Sequence, residues 1–238
     1  MISQSSGMLG VLELDEGLSE CTPAPREGSL LNPATFGLPI LTEIVEGALA
    51  ERVIRGDPSL EGACVTAAHK LVERGASVIV GDCGFLIRHQ DAISAAVDVP
   101  VITSSLLLIP ILLRQLAPAK KIAVLTADTR HLGEELLGVQ NARDRERLVI
   151  GGIEGGIYMR NTLARPLVRT DLEQIEHEVG ECIEQLRGQY PEVAMLLFEC
   201  TGFPVVSKAL RRKTTLPIYD ITDLCALTLN AVLGRTPT

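Results

Sequence analysis

The sequence predicts an α/β protein of two similar lobes, each a parallel sheet flanked by helices, related by a pseudo-twofold axis with the active site in the cleft between them. Three observations lead there. Two apolar runs, Ala76 to Gly81 and Val193 to Phe198, have the character of strands buried on both faces of a parallel sheet, and segments with helical spacing alternate with such runs along the chain. Each run ends in an acidic residue, a cysteine and a glycine-containing turn: Asp82-Cys83-Gly84-Phe85 in one, Glu199-Cys200-Thr201-Gly202-Phe203-Pro204 in the other. The register also persists beyond the cysteines. Val99 to Thr103 matches Leu216 to Asp220 at the same separation as the cysteines, 117 positions, and Leu9 to Asp15 resembles Ile122 to Asp128 at 113. A repeat this long is a duplicated lobe, not a solenoid unit.

A chain of 238 residues suits two lobes of about 110 residues each. The expected division places Cys83 in residues 1–117, a lobe that the C-terminal segment can complete, and Cys200 in residues 118–238. In order, Leu9 to Leu14 reads as the first strand, ending at Asp15. The irregular stretch from Glu16 to Pro39, with four prolines, follows a central strand and is expected to cover the cleft. Ile40 to Arg55 reads as a helix. Asp57 caps a second helix with Pro58 in its first turn; Leu60, Cys64, Ala67, Ala68, Leu71 and Val72 recur at helical spacing, and Gly75 ends it. After the first cysteine strand come a helix from Gln90 to Val97, a strand from Val99 to Thr103 and a helix from Ser104 to Leu116.

The second lobe opens at Lys120 and Lys121. Ile122 to Leu125 is its first strand, Thr126 to Thr129 turns the chain, and His131 to Leu137 reads as a helix. Leu148 to Ile150 is a strand running into glycines at 151, 152, 155 and 156. Their spacing fits neither dinucleotide- nor nucleotide-binding loops, so a plain strand-to-helix connection is expected. Thr170 and Glu173 have capping-box spacing. The helix behind them carries Leu172, Ile175, Val179, Ile183 and Leu186 on one face. The second cysteine strand, a helix over Val205 to Arg212, and the Leu216 to Ile221 strand with its helix complete the chain.

Composition narrows the function. Net charge −8 argues against nucleic acid and anionic membrane as partners, and 3% aromatic residues without tryptophan leave few platforms for a base or flavin. Six cysteines without a CxxC pair are not a disulfide scaffold. Cys64, Cys182 and Cys225 read as packing residues, and Cys21 sits in a proline-rich loop. No signal peptide is read at Met1 to Met8, and Leu106 to Leu113 is far short of a membrane span, so a cytoplasmic protein is expected. That run reads as a buried helix or part of a subunit contact, in keeping with a homo-oligomer, a homodimer being the simplest. The four histidines, His69, His89, His131 and His177, share no metal-ligand spacing; His69 and His177 read as solvated or packing residues, and Arg88 and His89 as solvated surface residues able to lend positive potential near Cys83. No cofactor or metal is expected. A cysteine at the carboxyl end of a central strand, facing the amino end of the next helix, stands where open α/β sheets bind ligands, and the helix dipole there favours a thiolate.

Cys200-Thr201-Gly202-Phe203-Pro204 resembles the Cys-Thr-x-x-Pro signature in the second lobe of the aspartate/glutamate racemase family. The duplicated lobes, with cysteines in corresponding positions, are similar to that family's architecture across nearly the whole chain. Asp15 resembles the aspartate that glutamate racemases place after their first strand, and Asn32-Pro33-Ala34-Thr35-Phe36 is similar to a loop of less characterised members. Two positions depart: Cys83-Gly84-Phe85 stands where members often have Cys-Asn-Thr, and Gly202 stands where glutamate racemases have a histidine. The resemblance implies an isomerase, a racemase of aspartate, glutamate or a hydantoin that needs no pyridoxal phosphate. Cys83 and Cys200 would serve as acid and base on opposite faces of the α-carbon. Asp15, Asn32, Gly84, Phe85, Thr126, Glu199 and Thr201 would surround a small carboxylate substrate, Asp15 and Glu199 orienting or tuning the thiols. The same scaffold also supports maleate isomerisation and arylmalonate decarboxylation. Decarboxylases keep only the second-lobe cysteine, which the presence of Cys83 disfavours. A non-catalytic two-lobed binding protein is the alternative outside enzymes.

Overall fold

A computed structural model describes residues 7–16 and 24–234. Cys21 and part of the proline-rich stretch lie outside these residues. The first half of the chain forms strands β1 (Met8–Glu13), β2 (Ile40–Ile44), β3 (Ala76–Gly81) and β4 (Val101–Ile102) with helices α1 (Pro33–Phe36), α2 (Ala50–Arg55), α3 (Glu61–Glu73), α4 (Gln90–Ala96) and α5 (Ile109–Gln115). The second forms β5 (Lys121–Thr126), β6 (Leu148–Gly152), β7 (Val193–Phe198) and β8 (Ile218–Tyr219) with α6 (Ala142–Arg145), α7 (Ile157–Leu163), α8 (Leu172–Gln189), α9 (Pro204–Thr214) and α10 (Ile221–Leu233).

The two sheets are parallel and have the same strand order, β2-β1-β3-β4 and β6-β5-β7-β8. The duplication extends to register. Ile79 pairs with Val101 and Leu196 with Ile218, each pair member 117 positions from its counterpart. The irregularity between Met8 and Leu9 recurs between Lys121 and Ile122, displaced by 113. Central strands carry apolar residues on both faces because helices cover both, so they read as continuous runs. In the first lobe, Leu9, Val11, Val78 and Val80 face Ile221, Cys225 and Leu229 of α10. The C-terminal helix thus crosses back to close the outer face of the first sheet. The opposite face, with Leu12 and Ile79, joins a core that runs without interruption into Ile122 to Leu125 and Leu196 to Phe198 of the second lobe.

Several elements depart from the sequence reading. Ile40 to Arg55 is a strand followed by a short helix, not one helix. Ile40 and Ile44 are β-branched, and Gly47, at φ 70°, turns the chain in a left-handed conformation before α2 begins. Thr129 to Leu137 forms two separate 3₁₀ turns rather than a helix. Gly151 and Gly152 belong to β6, where a Cβ at Gly151 would press against Cys182 and Leu186 of α8. Asp171, not Thr170, stands at the start of α8, and no side chain caps it. The Thr170 hydroxyl instead accepts from Asn161 Nδ2 at 2.9 Å. Leu172 is 41% exposed, so α8 buries Ile175, Val179, Cys182, Ile183 and Leu186 instead.

Candidate active site

β3 and β7 deliver their cysteines to one place. Cys83 leaves β3 in extended conformation, φ −151°, and opens the 3₁₀ turn Gly84–His89; Cys200 follows β7 and leads into α9. The two turns pack directly on each other. Thr201 Oγ1 donates to the Asp82 carbonyl at 2.8 Å, and a Cβ at Gly84 would collide with both the carboxyl group and the backbone oxygen of Glu199. Ser105 Oγ donates to the Phe198 carbonyl at 2.6 Å, tying the first lobe to the strand just before the second turn. Both cysteines line one cavity of about 800 Å³.

The lining has a distinct charge layout. Glu13, Glu16, Asp82 and Glu199 contribute carboxyl groups, while Arg26 and Arg169 contribute guanidinium groups. Burial, together with the charges of Glu16 and Glu13, pushes Asp82 well above the usual carboxylate range. Glu16 is raised by burial and by Glu13, against the pull of Arg165. Burial lifts Glu199 to about 7, and the Thr126 hydroxyl, donating to Oε2 at 2.8 Å, only partly offsets it. Among the described residues Glu199 Oε1 has no hydrogen-bond partner. On the basic side, burial and the charge of Arg169 push Arg26 down. Arg26 also donates to the Thr170 carbonyl at 2.7 Å, joining the loop after β1 to the loop before α8.

The thiols do not behave as the helix-terminus argument predicts. Burial first, then the charge of Glu199, raises Cys83 well above an ordinary thiol and Cys200 to about 12. The amides of Phe85 and Gly202 and the Tyr158 hydroxyl act in the opposite direction but are outweighed. Burial and the Glu199 charge both favour the thiol over the thiolate at each cysteine.

Of the residues singled out in the sequence, Cys83, Gly84, Phe85, Glu199, Cys200 and Thr201 line the cavity. Thr126 stands one layer behind, fully buried, and reaches the cavity through Glu199. Asp15 and Asn32 are elsewhere. Asp15 accepts from the Gly47 amide at 3.0 Å, and Asn32 caps α1 through the Ala34 amide at 2.9 Å while donating to the Pro25 carbonyl. Glu13, Leu14 and Glu16 at the end of β1 line the cavity, whereas Asp15 between them turns to Gly47. His89 is buried, 4% exposed, rather than solvated, and Arg88 lies over the Phe85 ring with its charge acting on Glu199. The sequence reading passed over Tyr158, Asp82, Glu13, Glu16, Arg26 and Arg169. Asp82 had a usable signal, since an acidic residue precedes the cysteine in both repeats. Cys64, Cys182 and Cys225 are buried free thiols. Among the described residues no cluster of three or more His, Cys, Asp or Glu side chains is placed to hold a metal ion, and no helix is long and apolar enough to cross a membrane.

No family model matches the chain. It is 29% identical over 222 residues to the dimethylsulfoniopropionate lyase of Durusdinium sp. clade D, spanning 89% of this chain and 70% of that protein. It is 26% identical over 240 residues to dimethylsulfoniopropionate lyase 7 of Emiliania huxleyi strain CCMP1516, spanning 95% and 67%. Among solved structures, unliganded arylmalonate decarboxylase aligns with a TM-score of 0.58 at 18% identity, covering 98% of this chain and 94% of that one. Aspartate racemase of Picrophilus torridus aligns with a TM-score of 0.57 at 15% identity, covering 98% and 96%. The chain therefore shares the fold of arylmalonate decarboxylase and aspartate racemase, in line with the resemblance read in the Cys-Thr-x-x-Pro segment. These similar proteins are named as lyases, a decarboxylase and a racemase.

Proposed function

We propose that this chain is a cofactor-independent lyase that removes a proton α to a carboxylate and expels a cationic β-substituent, acting on a β-sulfonio carboxylate such as dimethylsulfoniopropionate. The observation that carries the reading is the cavity lining, where two thiols sit among four carboxyl groups with a pair of arginines nearby. Clustered like charges repel one another, and a zwitterion relieves both sets at once. Its cationic sulfur suits Glu13, Glu16 and Asp82. Its carboxylate suits Arg26 and Arg169, which can bind it and delocalise charge building at the α-carbon.

The positive charge of the substrate also opposes the effect of Glu199 on the thiols, favouring the thiolate only when the site is filled. A cysteine thiolate then takes the α-proton. The C–H electron pair becomes the second bond between Cα and Cβ, the Cβ–S bond breaks, and its pair leaves with neutral dimethyl sulfide. Acrylate remains, and the proton carried by the thiol passes to solvent. One base suffices for this sequence. The relatives named as dimethylsulfoniopropionate lyases support the choice of leaving group.

A second reading, racemisation of aspartate, glutamate or a hydantoin, is favoured by the cysteine pair itself, placed at equivalent strand ends of duplicated lobes. Racemisation needs both cysteines, one on each face of the α-carbon. Either reading takes a small carboxylate substrate and no cofactor. Leu107, Ile111 and Leu227, 37%, 55% and 63% exposed, support self-association. The deciding experiment supplies the purified protein with dimethylsulfoniopropionate and, separately, with aspartate, glutamate and hydantoins in deuterated water. Release of dimethyl sulfide and acrylate in equal amounts is expected. Deuterium uptake at the α-carbon of an amino acid, without any sulfide release, would replace the lyase by the racemase.

A further inference from the structure

The two cysteines occupy equivalent strand ends, yet their surroundings differ. Among the described residues the Cys83 sulfur meets one hydrogen-bond donor, the backbone amide of Phe85. The Cys200 sulfur meets the corresponding amide of Gly202 and also the phenol of Tyr158, whose oxygen lies 3.3 Å away. Three features fix that phenol. The Glu178 carboxylate accepts from the amides of Ile157 and Tyr158 at 2.7 and 3.2 Å, anchoring the first turn of α7. The Tyr158 ring tilts against Phe203 with centroids 5.6 Å apart, and Phe203 in turn meets Phe198 edge-on. Finally, Gly202 leaves the room the hydroxyl occupies, since a Cβ there would run into the phenol oxygen. Among the described residues the first lobe offers Cys83 no counterpart: its cysteine turn is followed by the 3₁₀ segment Gly84–His89, and Phe85, the aromatic residue in it, has no hydroxyl.

We propose that Tyr158 is a positioning residue that holds the Cys200 thiolate by a hydrogen bond and so makes Cys200, not Cys83, the base that takes the α-proton. The assignment of a proton-abstracting role rests on the function proposed above; the thiolate-stabilising role does not. Burial keeps the phenol protonated, so toward a thiolate it acts as donor. A charge-assisted hydrogen bond in a dry site changes the thiolate population by about tenfold or more. The geometry also accounts for the glycine at 202, because the hydroxyl of Tyr158 takes the space a side chain there would fill.

The test is the pH dependence of iodoacetamide modification at each cysteine, read by peptide mass spectrometry on the full chain. Tyr158→Phe should slow modification of Cys200 about tenfold at neutral pH and move its profile upward by about one pH unit, leaving Cys83 unchanged. Gly202→Ala, at a glycine outside the left-handed region, keeps the phenol but displaces it, and should produce the same selective effect. An unchanged Cys200 profile in either folded variant, or equal slowing of both cysteines, would overturn the proposal. The readout needs no substrate. A selective effect on Cys200 in a protein that releases no dimethyl sulfide would leave the role of Tyr158 standing and refute the lyase. In an active protein, kcat should fall in Tyr158→Phe with KM retained.

Discussion

Glu199→Gln is expected to stabilise the protein, by an amount that grows from about pH 4.5 to about pH 7 and then levels off. Glu199 is 1% exposed; one carboxyl oxygen accepts from Thr126 and the other, against Gly84, has no partner among the described residues. Burial moves its pKa from 4.5 to about 7. The folded value therefore lies above the unfolded one. The stability this group contributes is complete below 4.5 and is lost as pH rises through about 7. That displacement corresponds to about 3 kcal/mol. Glutamine keeps an oxygen at Thr126 and carries no charge, so it should match wild type near pH 4 and exceed it by about 3 kcal/mol above pH 8. Urea unfolding followed by circular dichroism across this range measures the difference. A second consequence follows because the Glu199 charge, after burial, is the next cause raising both Cys83 and Cys200. Both thiols should alkylate faster in the variant at alkaline pH. A stability difference that stays flat from about pH 4 to about pH 9 would refute the assignment of a titrating buried carboxyl.

Gly84→Ala forces a methyl group against the Glu199 carboxyl and carbonyl, and should cost about 1–3 kcal/mol, seen as a lower thermal midpoint. Asp220→Ala removes the capping-box side chain of α10, which accepts from the Thr222 amide at 2.9 Å and from Ser207 Oγ at 2.6 Å; about 2 kcal/mol should be lost, with faster hydrogen exchange over 221–233 and in the first-lobe strands that α10 covers. Cys200→Ser should lower sulfide release by about a thousandfold or more, because a hydroxyl is a poor base at neutral pH, whereas Cys83→Ser should retain most of the elimination while losing any net racemisation. Equal loss of elimination in both cysteine variants would contradict a one-base mechanism.

The duplicated lobes were legible because each sheet is internally covered. Central strands buried on both faces must be apolar throughout, and the same turn chemistry then recurs wherever the copied strand ends, as at Cys83 and Cys200. The errors came where local pattern is ambiguous. Ile40 to Arg55 has apolar residues that fit a helix, and the left-handed turn at Gly47 that divides it depends on packing of the flanking segments. Thr170 and Glu173 have capping-box spacing, yet the Thr170 hydroxyl is taken by Asn161.

What the sequence by itself determined is the fold, its internal repeat and the pair of cysteines at matched strand ends, since these follow from short-range periodicity and from comparison of one half with the other. Only the tertiary structure decided the character of the site. Tyr158, forty-two positions from Cys200, reaches its sulfur because α7 and the glycine at 202 are brought together. Glu13, Glu16 and Asp82 become one carboxyl cluster because β1 and β3 are neighbours in the sheet. Asp15, adjacent in sequence to this cluster, is turned toward Gly47 and leaves it. The upward push on both thiols was likewise invisible, because a helix terminus is a local feature whereas desolvation and the charge of Glu199 are set by everything that surrounds the sulfur.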